Sequence, residues 1–123
     1  IVVENTTGID IDSGLLVADI KPFSGDGSGG LSHGAEQTGS NGATLSNGSS
    51  TTLLTVSGST NVGLNGNANV NLSGNTAAGA DGDVEFYIER STDGGTSYER
   101  DPVPIAIINF GGSNSDKSTT LSL

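Results

Sequence analysis

The stretch from Asp83 to Phe110, DVEFYIERSTDGGTSYERDPVPIAIINF, constrains the fold more than any other part of the chain. Val84, Phe86 and Ile88 fall on one side of an extended backbone, and Glu85, Tyr87 and Glu89 on the other. That period of two is the signature of a half-buried strand. The central STDGG supplies a turn, and the return arm is apolar on both sides, with Ile105, Ile107 and Asn109 alternating with Ala106, Ile108 and Phe110. A β-hairpin is therefore expected, its returning strand lying centrally, covered on both faces, or against another subunit. Pro102 and Pro104 each lack a backbone donor, so that strand is expected to pair fully only after Pro104.

The rest of the chain repeats the period of two in shorter runs. Ile1 to Ile20 holds two or three β-branched runs broken by Asn5, Gly8 and the turn Asp12-Ser13-Gly14, without the three-and-four spacing of a helix. Ile1 to Glu4 also suits an extended arm that pairs with the sheet edge of a neighbouring subunit. Lys21 to Ser50 is rich in Gly and Ser, with Phe23, Leu31 and Leu45 as its few apolar anchors. It reads as a long mobile loop or as a surface segment pinned by its neighbours, and as the expected place for an inter-subunit or ligand contact. From Thr51 onward Leu54 and Val56 share one side, with Leu53 and Thr55 on the other. Val62 and Leu64, then Ala68, Val70 and Leu72, alternate with small polar residues, as Leu121 and Leu123 do at the end. These runs ask for one buried and one wet face.

Strands separated by turn-rich gaps give an all-β fold, expected as an antiparallel β-sandwich or jelly roll with a long Gly/Ser-rich N-terminal arm or loop. At 123 residues the chain is one domain, divided into strands and arm over residues 1–50 and a sandwich core over residues 51–123. With 20 glycines and 32% hydrophobic residues the core is lean. Fourteen acidic residues against four basic ones leave a net charge of −10, which argues against nucleic acid and against an anionic membrane as partner. Without Cys, neither a disulfide nor a thiolate metal site can form. The start without Met and the end inside the strand-like TTLSL suggest a processed chain with more sequence to follow.

No catalytic constellation is readable. His33 is the only histidine and stands among Ser and Gly, with no nucleophile or ligand set beside it. Glu89 or Glu99 with Arg90 or Arg100 suits exposed cross-strand ion pairs, worth at most about 1 kcal/mol. No metal site is assigned. Asp81, Asp83 and Glu85 alternate along a strand and are the weak calcium candidates, solvated acidic residues being the simpler reading. Calcium is the one cofactor left open.

Asp93 can accept backbone N–H bonds across the turn, and Gly94 and Gly95 permit positive φ. The run Ser91 to Tyr98, STDGGTSY, resembles the Asp-box of sialidase-like propellers and of many secreted and phage proteins, with Ser97 and Tyr98 where Thr and Trp are usual. There the motif is structural, which implies that Asp93, Gly94 and Gly95 form a turn. From Thr51 to Leu123 the order of strands resembles jelly-roll domains of the tumour-necrosis-factor and C1q type, and phage head-decoration and fibre-knob proteins. That likeness implies a homotrimer in a virion, bound to capsid or other structural proteins, with the first fifty residues as attachment arm. The expected function is that of a non-enzymatic virion subunit whose subunit interface is Ile105, Ile107, Ile108 and Phe110. The alternatives are a secreted or cell-surface adhesive module, and a filament or pilus-like subunit that donates its N-terminal strand.

Overall fold

A computed structural model describes residues 1–56, 68–76, 79–112 and 116–122. In chain order its strands are β1 (Val2–Thr6), β2 (Leu16–Gly25), β3 (Leu31–His33), β4 (Gln37–Ser40), β5 (Ser50–Thr52) and β6 (Ala68–Gly74). They continue as β7 (Asp83–Tyr87), β8 (Glu89–Arg90), β9 (Glu99–Arg100), β10 (Ala106–Asn109) and β11 (Lys117–Ser122). No described residue is helical.

One antiparallel sheet runs β10-β7-β1-β5, and a second runs β11-β6-β2, with β3 and β4 both pairing the far side of β2. The two sheets share one core, so the fold is all-β and sandwich-like. Val3, Val84, Phe86 and Ile108 enter it from the first sheet, and Leu16, Ala18, Ile20, Val70 and Leu72 from the second. These are the positions whose period of two marks an inward face. Each such Val, Leu, Ile or Phe contributes about 1.5–3 kcal/mol on burial.

Three expectations need correction. Ile1 to Glu4 does not reach for a neighbour: β1 is an interior strand of its own sheet, pairing Val3 with Phe86 on one side and with Thr51 on the other. The second side of β7 is thereby taken, which leaves β10 at the sheet edge rather than at its centre. Leu53 and Leu54 do not alternate, because β5 ends at Thr52 and both amides turn to the Ile1 carbonyl, burying both side chains. The alternation of Val62 and Leu64 lies outside the described residues, as does Leu123.

Lys21 to Ser50 is a pinned surface segment. β2 continues into it as far as Gly25, and Leu45 is buried and bridged to Ile11 by two backbone hydrogen bonds of 2.8 and 3.0 Å. Gly39 in β4 runs so close to the chain after β5 that a Cβ there would meet the Leu53 carbonyl oxygen at 2.0 Å.

Two fully buried asparagines fasten the loops to this frame. Asn5 Nδ2 donates to the carbonyls of Ile9 and Leu45, both at 2.9 Å, while its Oδ1 accepts from the Thr7 amide and hydroxyl. Asn41 Nδ2 donates to the carbonyls of Asp12 and Ala43, and its Oδ1 accepts from the Leu16 amide at 2.9 Å. Every polar position of both amides that faces the interior is used, as burial without large cost requires.

Candidate interaction surface

The surface most open to a partner grows out of the hairpin Asp83 to Phe110. β10 pairs β7 from Ala106↔Phe86 to Asn109↔Asp83. Pairing begins where the prolines end, with the Ile105 amide on the Phe86 carbonyl at 2.7 Å, and closes with the Phe110 amide on the Gly82 carbonyl at 3.1 Å. Between them the hairpin narrows to the two-residue ladder β8–β9.

At the tip the Asp93 carboxylate accepts from the amides of Thr96 and Ser97, both at 3.0 Å, and from the hydroxyls of Ser91 and Ser97. Gly94 and Gly95 stand at φ 74° and 91°, where a Cβ would be strained. The Ser97 hydroxyl, then the Ser97 amide and the Ser91 hydroxyl, hold the Asp93 carboxyl well below the usual carboxylate range. A similar turn occurs at Asp26, whose carboxyl is lowered by the amides of Ser28 and then Gly30.

Arg100 ties the tip to the sheet. Its Nε donates to Glu89 and its Nη1 to Glu4, each at 3.1 Å, while Nη2 reaches the Ser50 hydroxyl at 3.4 Å. The guanidinium also lies 5.0 Å from the centre of the Tyr87 ring. The Tyr87 hydroxyl donates to Glu85, and that bond, followed by desolvation, raises the phenol above its ordinary value. Arg90 pairs with Asp101 at 3.1 Å. The Glu89–Arg100 pair follows from strand register, whereas Glu4, 96 residues from Arg100, has no local signal.

The four apolar residues expected at a subunit interface are divided by the pleat. Ile108 and Phe110 belong to the core, at 5% and 0% exposure, whereas Ile107 is 53% exposed and Ile105 half-buried. Val103, just before them, is 69% exposed. An edge strand with apolar side chains on its outer face is the surface that results.

The acidic residues behave differently. Asp83 accepts from Asn109 Nδ2 at 2.8 Å and Glu85 is bonded by Tyr87, while Asp81 precedes β7. Among the described residues no three His, Asp or Glu side chains gather as a metal site. His33 is exposed, its ring 6.2 Å from that of Phe23. An open groove of about 390 Å³ runs beside β2, β6 and β11, but its charged residues are engaged, Asp116 with Asn75 at 2.6 Å and Lys117 with the Asn109 carbonyl at 2.7 Å.

The missed residues, Asn5 and Asn41, carried a faint signal. Asn5 shares the phase of Val3 in the run VVEN, an inward polar residue in an apolar stripe. Comparison with family profiles, curated proteins and solved structures finds no match for the chain.

Proposed function

We propose that the protein is a non-enzymatic structural subunit that works by associating with copies of itself: a virion surface component of the capsid-decorating or fibre-knob kind. The observation that carries this reading is the apolar surface at β10, where Ile107 stands 53% exposed on a strand held to the core by Ile108, and Val103, 69% exposed, lies in the segment that leads into it. Rigid apolar surface of this kind is costly to leave in water and gains by burial against another chain. The jelly-roll likeness of the strand pattern adds the virion setting and the expectation of three copies.

Tyr98, 50% exposed on the braced tip, favours a second reading, an adhesive module that binds through the hairpin. Light scattering after size-exclusion chromatography, with calcium and then with chelator, separates the two. A stable oligomer indifferent to chelator supports the assembly reading. A monomer at every concentration overturns it.

A further inference from the structure

An open sheet edge is a row of unpaired N–H and C=O groups that a protein either blunts or pairs. Most edges of this sandwich are blunted. β5 and β3 have three residues each, and β4 has four, with the chain after β5 pressed against Gly39. β10 is approached through Pro102 and Pro104, and the Lys117 ammonium caps the Asn109 carbonyl at its far end.

β11 has none of these devices. Its six residues, KSTTLS, contain neither Pro nor Gly and pair β6 without a bulge from Lys117↔Gly74 to Ser122↔Asn69. Among the described residues nothing pairs its other side. Its one charge, Lys117, is directed at the carbonyls of Asn109 and Phe110.

Charge then selects the occupant. The exposed residues Ser118, Thr120 and Ser122 align with Ser73, Asn71 and Asn69 of β6, and through them with Val17, Asp19 and Lys21 of β2. Across these three strands that face carries one acid and one base. The outer face of the other sheet aligns Glu4 with Glu85 and carries Asp83 as well, three acids against the single base Arg100 that pairs with Glu4. Two copies of a chain with net charge −10 therefore repel least across β11.

We propose that β11 pairs antiparallel with the β11 of a second copy, joining the two sheets across a two-fold axis. The proposal rests on the self-association reading above but moves the contact from β10 to β11, and with it the expected number of copies. Because the contact is isologous it closes at two copies rather than three.

The test uses Thr120→Lys and Thr120→Asp in the full chain, followed by light scattering. Thr120 is exposed and its hydroxyl makes only a 3.3 Å bond to Asn71, so the fold should be kept, as an unchanged thermal melt verifies. Ser122→Lys and Ser122→Asp serve as a second pair if either variant fails to fold. The expected result is a wild type of about twice the 12.2 kDa chain mass, variants at least tenfold weaker in self-association, and return of the dimer when Lys and Asp variants are mixed. A trimer, or a dimer indifferent to Thr120→Lys, overturns this pairing and leaves the assembly reading standing. A monomeric wild type overturns both.

Discussion

Replacing Asn5 with Ala tests whether the loops are held to the sandwich by buried amides rather than by apolar contact alone. The substitution removes four hydrogen bonds at a fully buried position. Two of the groups involved have another partner: the Leu45 carbonyl still accepts from the Ile11 amide at 3.0 Å, and the single proton of the Thr7 hydroxyl can turn to the Ile9 carbonyl at 3.1 Å. The Thr7 amide is left without an acceptor in the interior. An orphaned buried donor costs about 1–3 kcal/mol and each further lost bond about 0.5–1.5 kcal/mol, so a loss of about 3–5 kcal/mol is expected. That is a large share of the roughly 5–15 kcal/mol by which such domains are stable. Urea unfolding should show a lower midpoint at unchanged slope, and melting should fall by about 12–20 °C. Thr6→Ala is the control, because its hydroxyl bonds the Asp83 carbonyl at an exposed site and should cost about 0.5 kcal/mol. An Asn5→Ala loss no larger than that of Thr6→Ala would refute the reasoning.

Gly39→Ala places a methyl group 2.0 Å from the Leu53 carbonyl oxygen and should cost about 1–3 kcal/mol by thermal melting. Gly42→Ala, whose new Cβ meets nothing within 4 Å, should be neutral or slightly stabilising. Arg100→Ala releases Glu4, Glu89 and the Tyr87 face at a site 31% exposed, so the loss should be about 1–2 kcal/mol and shrink in 1 M salt; a salt-independent loss would mean that packing, not charge, holds the tip. Asp93→Ala should speed hydrogen exchange at the Thr96 and Ser97 amides without moving the global melt. Since the native Asp93 carboxyl is lowered, its contribution is fully present above the ordinary Asp value of about 3.9 and disappears only as pH falls through the lower native value. Wild-type protection at the tip should therefore be flat from pH 7 to about pH 5, and an earlier loss would contradict the turn geometry.

The edge position of β10 follows from one packing choice. Placing β1 inside its sheet occupies the second side of β7 and displaces the hairpin's return strand to the rim. The connection after Phe110 then carries the chain into the other sheet, so β10 and β11 end as neighbouring edges of the sandwich. The proline pair and Lys117 guard the more apolar of the two. The polar β11 carries no such guard among the described residues.

What the sequence determined by itself is local. Alternation at Val84 and Phe86, and at Ala68, Val70 and Leu72, placed the inward face of β7 and β6, because successive side chains of a strand point to opposite sides whatever the neighbours are. Asp93, Gly94 and Gly95 specified their turn through backbone torsions and short hydrogen bonds, and Pro104 marked where pairing could begin, since these are properties of the residues concerned and their immediate neighbours. Only the tertiary structure decided that β1 lies between β5 and β7, that Ile107 faces solvent while Ile108 faces the core, and that Arg100 finds Glu4. Nothing in a strand's own period names the strand beside it. Neighbours are chosen by which arrangement buries the inward faces of both sheets together and satisfies Asn5 and Asn41, a balance that involves the whole chain.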